Sequence, residues 1–90
     1  MFLHIGNGKS IRKNKIIGIF DLDTSTVSQI TKNYINKMQK SGRLHYCDSD
    51  LPRSFIVYEN EKGQAMELSR ISTSGLKIRT EASATELQID

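Results

Sequence analysis

The sequence is poor in the residues that mark several large protein classes. Among 90 residues there is one cysteine, Cys47, so no disulfide can close within the chain and a reducing compartment is the simpler setting. There is one proline, Pro52, and no low-complexity tract, which argues against an extended disordered chain. Tryptophan is absent, and three Phe with three Tyr leave little aromatic surface on which single-stranded bases could stack. The longest apolar run, Ile16-Ile17-Gly18-Ile19-Phe20, is far too short to span a bilayer. Met1-Phe2-Leu3-His4-Ile5 lacks the positive flank and long apolar stretch of a secretory signal. These absences lead to the expectation of a small cytoplasmic protein with no membrane partner.

What is present is a modest excess of positive charge. Lys and Arg number 13 against 10 acids, a formal charge of +3. Residues 81–90 hold Glu81, Glu86 and Asp90 and no base, so residues 1–80 carry 13 bases against 7 acids, or +6. The expected organisation is one domain over residues 1–80 followed by an acidic, flexible tail over 81–90, since 90 residues are too few for two independent cores.

Local patterning divides the domain into short elements. Phe2-Leu3-His4-Ile5 reads as a strand, Gly6-Asn7-Gly8 as a turn, and Lys9 to Arg12 as the returning arm. Ile16 to Phe20 predicts a buried strand, with Gly18 marking a bulge or a close backbone approach. Asp23, Thr24 and Ser25 are candidate N-caps for a helix. Its apolar face takes in Val27, Ile30, Tyr34 and Met38, widened by Ile35, and Gly42 ends it. Leu44 to Cys47 and Phe55 to Tyr58 predict strands, with Pro52 at the entrance of the second. Asn60-Glu61-Lys62-Gly63 predicts a tight turn into a strand over Gln64 to Ile71. Ser72-Thr73-Ser74 can cap a short last helix carrying Leu76 to Arg79. This order describes an α+β domain: a small antiparallel sheet covered by one main helix, with a short C-terminal helix.

Catalytic patterns begin and then fail. Gly8-Lys9-Ser10 resembles the end of a phosphate-binding loop, but Leu3 stands where the first glycine belongs and no helical periodicity follows. An apolar strand ending in Asp21-Leu22-Asp23 resembles the opening of haloacid-dehalogenase-type phosphatases, yet Thr24 and Ser25 replace the Gly-Thr that should follow. Two carboxylates stabilised by a helix dipole are the simpler reading. His45 and Cys47 form one loose pair where zinc requires four ligands, and Cys47 has no partner base in sight. The reading is therefore of a protein that is not an enzyme, with no cofactor, no metal and no small-molecule substrate.

The basic residues are the more informative set. Lys9, Arg12, Lys13 and Lys15 place four positive charges in seven positions without an acid among them. Arg70, Lys77 and Arg79 are interleaved with Ser72, Thr73 and Ser74, small donors suited to phosphate oxygens, and Arg53 stands alone before the strongest strand. Cations release counterions from a nucleic-acid backbone, and hydroxyls fix register. No helix-turn-helix, zinc-finger or RNP-type signature accompanies them.

Phe2-Leu3-His4-Ile5-Gly6, Ile16-Ile17-Gly18-Ile19-Phe20-Asp21 and Leu51-Pro52-Arg53-Ser54-Phe55-Ile56-Val57 are followed by Leu68-Ser69 and Ser72-Thr73-Ser74-Gly75-Leu76-Lys77. Together, in order and at matching spacings over about residues 1–80, they resemble the extracellular matrix regulatory proteins of Gram-positive bacteria. This is the RemA/RemB family, and the chain is nearer its RemB branch. The resemblance implies a LytTR-like fold, assembly of the chain with itself as a ring-like homo-oligomer, and binding of duplex DNA at promoters of biofilm-matrix genes. It implies a basic residue where the second main strand begins, which is Lys15 here with Lys13 adjacent. Where the family carries an arginine pair before the next strong strand, this chain has Asp50 and Leu51, with Arg53 nearby. The expected DNA-contacting set is Lys13, Lys15, Arg53, Arg70, Lys77 and Arg79, acting mainly on phosphates. The alternative is an oligomeric protein–protein interaction module of the same fold that does not bind DNA.

Overall fold

A computed structural model describes residues 1–80; residues 81–90, where the sequence suggests an acidic tail, lie outside the described residues. The chain opens with a hairpin of β1 (Phe2–Gly6) and β2 (Lys9–Arg12). Asn7 and Gly8 both take positive φ, 49° and 75°, the geometry that lets a two-residue loop follow the twist of its strands. A 3-10 turn (Lys13–Lys15) leads to β3 (Ile16–Asp21), then α1 (Leu22–Ser25), α2 (Gln29–Lys40), β4 (Leu44–Tyr46), β5 (Ser54–Asn60) and β6 (Gly63–Ser69). Helix α3 occupies residues 73–80.

The domain is α+β as expected, but its sheets are not all antiparallel. β1 and β2 form a separate two-stranded sheet, and the main sheet has the order β3-β5-β6-β4. β3 and β5, and β5 and β6, pair antiparallel, whereas β4 pairs with β6 in parallel, Leu44 opposite Met66 and Tyr46 opposite Leu68. The cause lies in the connections. The segment after β4 is long enough to leave a gap, and the tight Asn60–Gly63 turn sends β6 back into that gap between β5 and β4. The amides of Cys47 and Arg53 donate to Leu68 O and Ser69 O, at 2.8 Å each, and tie this segment to the end of β6.

Side-chain alternation along β5 and β6 then makes two cores, one on each face of the sheet. Phe55, Val57, Met66 and Leu68 pack with Met38, Tyr34 and Ile35 of α2. Ile56 faces the other way, into a cluster with Leu3, Ile5 and Ile11 of the hairpin, Cys47, and Leu76 of α3. The Cys47 thiol donates to Gly6 O at 3.0 Å, and burial, assisted by the Glu67 and Asp48 carboxylates, pushes its pKa up. A buried, protonated thiol is a packing group, the opposite of an activated nucleophile.

Two expectations about apolar segments are corrected. β3 is not a buried strand but the edge of the sheet, and Ile17 and Phe20 are 54 % and 41 % exposed. Its ladder to β5 shifts between Ile16 and Gly18, so the predicted irregularity is present and Ile17 is the extra residue. The bulge changes the parity of the strand. Ile16 and Ile19 face the hairpin cluster, while Ile17 and Phe20 line the α2 side together.

The main helix is also shorter than its apolar spacing suggests. Asp21, not the residues after it, caps the first turn, accepting from Thr24 N at 3.0 Å. α1 then stops, and α2 begins only at Gln29 after an extended Ser28. Thr26 Oγ1 donates to Leu22 O at 2.7 Å, one of a run of hydroxyls that compete with helix propagation. Val27 and Ile30 are consequently 81 % exposed, and only the Tyr34–Ile35–Met38 part of the stripe packs on the sheet. The last helix is capped as expected, with Gly75 N donating to Ser72 Oγ at 3.1 Å.

Candidate nucleic-acid interface

The cations anticipated from the sequence fall into three places. Lys15 closes the 3-10 turn immediately before Ile16, at the end of the sheet where Ile16 faces Tyr58. Arg53 precedes Ser54, which faces Asp21 at the other end of the same strand pair. At about 3.3 Å per residue the two are on the order of 20 Å apart along the strands. Arg70 follows Ser69 at the Arg53 end, and its charge is already engaged: Nε lies 3.2 Å from Asp48 Oδ2 and a terminal nitrogen 3.4 Å from Asp50 Oδ2. Lys13 and Arg79 join the hairpin to α3, donating to Thr80 O at 2.7 Å and to His4 O at 3.2 Å, and Lys77 is exposed on α3. One compact patch holding all six does not form.

A different set gathers around Lys15. Two open clefts adjoin there, of about 540 and 610 Å³, and Lys15, His45 and Glu59 line both. The first lies between β2 and the sheet and adds Lys9, Arg12, Tyr58 and Glu67; the second adds Arg43, Glu61 and Lys62. The combined groove is thus lined by five basic side chains of Lys and Arg and three carboxylates, a formal net charge of +2. Lys9 and Arg12 belong to the basic run that the sequence displays. Arg43 has no sequence signal beyond its place after the Gly42 helix stop, and reaches the groove because it caps the β5–β6 turn. Its guanidinium donates to Gln64 O at 2.9 Å and to Lys62 O.

The floor of the first cleft is a charged hydrogen-bond chain. Glu67 sits on β6 inside the sheet, with only 5 % of its surface exposed. One carboxylate oxygen accepts from Lys9 Nζ at 3.2 Å, and the other from the Tyr58 hydroxyl at 3.2 Å. Lys9 Nζ also lies 3.5 Å from Tyr46 O. Burial is the main reason that Tyr58 is pushed up to about 12, aided by the Glu67 charge and hydrogen bond. The chain fixes the Lys9 ammonium at the mouth of the cleft instead of leaving it on a freely swinging stem. Arg12 is held as well, its guanidinium carbon 5.5 Å from the centre of the Phe2 ring. An ordered cation such as Arg12 suits phosphate oxygens, because less side-chain freedom is lost on contact, whereas the Lys9 charge, like that of Arg70, is shared with a carboxylate.

Among the described residues, no group of three or more His, Cys, Asp or Glu gathers as metal ligands, and no helix is long and apolar enough to cross a membrane. No curated protein matches the chain. Residues 2–80 match the family model described as RemA-like, extracellular matrix regulatory protein A-like. That match spans nearly all of the described fold, including both clefts, the Asp48–Asp50 segment and α3. The chain is a member of the RemA-like family of extracellular matrix regulatory proteins.

Proposed function

We propose that this protein is a homo-oligomeric, DNA-binding transcription regulator of biofilm extracellular-matrix genes, of the RemB branch and with a LytTR-like fold. The single observation that carries the reading is the ordered cationic groove around Lys15, with Lys9, Arg12 and Arg43 along its walls. A protomer with so modest a charge binds duplex DNA weakly alone. Repeated around a ring, the same groove becomes a polyvalent surface whose effective affinity far exceeds that of one copy. Contacts run mainly to phosphates, so selectivity derives from the spacing of grooves and the deformability of the DNA. Lys13, Lys77 and Arg79 extend the contact along α3, while Arg53 acts at the far end, where Arg70 is held between Asp48 and Asp50 and joins only by exchanging those carboxylates for phosphate.

The second reading, an assembly module that does not bind DNA, draws on one specific observation. Asp48 and Asp50 hold Arg70 in ion pairs, so that end of the molecule offers little to a phosphate. Fluorescence anisotropy with duplex DNA at about 50 and 200 mM salt separates the two. The regulator reading expects binding that weakens steeply with salt, and Lys15→Glu to weaken it on every sequence while lowering the salt slope by about one. Absence of binding at low salt by an assembled wild-type protein supports the module instead.

A further inference from the structure

The edge of the main sheet carries a surface that neither core nor groove uses. Among the described residues no strand pairs with the outer side of β3, which leaves its outward N–H and C=O groups facing away from the sheet. Beside it runs a cleft of about 320 Å³ between β3 and α2, walled by Ile17, Phe20, Ile30, Tyr34, Phe55 and Val57. Its full lining contains no charged residue. Ile17, Phe20 and Ile30 are 54, 41 and 81 % exposed, and Val27, in the connection into α2, is 81 % exposed. For side chains of the order of 150–200 Å² each, these fractions leave roughly 400 Å² of apolar surface in water. That is about half of the ~800 Å² that each partner contributes to a stable interface, before any backbone pairing is added.

The bulge makes this surface self-complementary. Without it, Ile17 and Phe20 would point to opposite faces, as residues three apart on a regular strand do. With it, both stand on the α2 face. When β3 is laid antiparallel to a second β3 so that Ile16–Asp21 overlap fully, Gly18 falls opposite Ile19 and Ile17 falls opposite Phe20 of the other copy. The exposed pair on each strand then meets its counterpart across a two-fold axis, an isologous contact that joins protomers in pairs, so that closing a ring takes a second, different interface. Phe20 is preset for this. Its ring stacks on Phe55 with centroids 5.1 Å apart and lies over Gly18, where an added Cβ would come within 2.6 Å of it.

We infer that the β3 edge, with the Ile17–Phe20–Ile30 cleft, is the docking surface for a second copy of this chain, joining two sheets edge to edge. The inference rests on the self-assembly in the proposed function and is independent of DNA binding. An uncharged lining disfavours a phosphate or a charged peptide, and the matched register favours an identical strand over an unrelated one.

The test is the mass of the full chain in the absence of DNA, by sedimentation, for wild type, Ile30→Glu and Ile17→Lys. Both substitutions sit in water in the protomer, and far-UV circular dichroism checks the fold. The expected result is wild-type assembly and a mass at least halved in both variants at the same protomer concentration. In a Cys47→Ser background, Ile17→Cys mixed with Phe20→Cys should form more disulfide-linked dimer than either chain alone. Folded variants that keep the wild-type mass, or mixed chains that cross-link no better than single ones, overturn the surface. A monomeric wild type overturns self-assembly itself. A wild type that assembles through this edge but binds no duplex DNA overturns only the DNA reading.

Discussion

Removing Lys9 should cost more stability than removing an ordinary surface lysine, because its partner is a carboxylate inside the sheet. Glu67 is 5 % exposed, and its two oxygens have one protein donor each, Lys9 Nζ and the Tyr58 hydroxyl, both at 3.2 Å. In Lys9→Met the charge stays buried with the phenol as its remaining partner among the described residues. Breaking a fully buried pair from one side costs about 3–5 kcal/mol, but the Lys9 side chain is 48 % exposed, so water can reach the site and about 2 kcal/mol is expected. Glu67→Gln removes the charge yet keeps an acceptor for Tyr58, and about 1 kcal/mol or less is expected. The sign of the coupling is the sharper expectation: Lys9→Met with Glu67→Gln should be about 1 kcal/mol more stable than Lys9→Met alone, since no charge is then stranded. Urea unfolding followed by circular dichroism measures all four proteins, at one fixed protomer concentration because assembly is coupled to stability. For a domain of this size, ~2 kcal/mol corresponds to a fall in Tm of about 8–16 °C. A Lys9→Met cost below about 0.5 kcal/mol, the range of an exposed pair, would refute the argument, as would a double variant as unstable as the two singles added.

Tyr58, held protonated with its pKa at about 12 against an ordinary 10.0, should make stability fall at high pH. Its contribution is full below pH 10 and is lost as the pH rises through 12; with solvent screening of a partly exposed phenol, about 1 kcal/mol is at stake. Unfolding midpoints at pH 9 and pH 12 should therefore separate more in wild type than in Tyr58→Phe, and equal separations would remove the claim. Gly18→Ala places a Cβ 2.6 Å from the Phe20 ring, which must swing off Phe55. The loss is about 1 kcal/mol of stacking, read by unfolding and by the near-ultraviolet dichroism of the phenylalanines. Ser72→Ala removes the acceptor for Gly75 N, and about 1 kcal/mol of cap stabilisation, so amide exchange at Leu76 should accelerate while β5 amides stay protected.

Much of the fold is readable from local patterns because local physics decides it. Positive φ at Asn7 and Gly8 forms the first turn, Asn60–Gly63 forms the second, and Ser72 starts α3. The helical stripe was only half informative. Tyr34, Ile35 and Met38 found the sheet, while the hydroxyl-rich segment before Gln29 broke the helix and left Val27 and Ile30 in water. Apolar periodicity says that a face exists but not whether anything within the same chain covers it. The candidate interface shows the same division. The basic run Lys9 to Lys15 is visible in one line of sequence, whereas Arg43 joins it only through the β5–β6 turn that it caps. Arg70 stands in the sequence as an isolated cation, and only the fold brings Asp48 and Asp50 against it.

Taken by itself, the sequence determined the α+β class, the places of the turns and caps, and kinship over residues 2–80. These follow from composition, from φ preferences and from periodicities of two and 3.6, all of which act over a few residues. Only the tertiary structure decided that β6 inserts between β5 and β4, that β3 lies at an edge, and that Glu67 is buried beneath Lys9. Those outcomes depend on which strands meet and which charges are brought together, and contacts between residues dozens of positions apart leave no mark on local pattern.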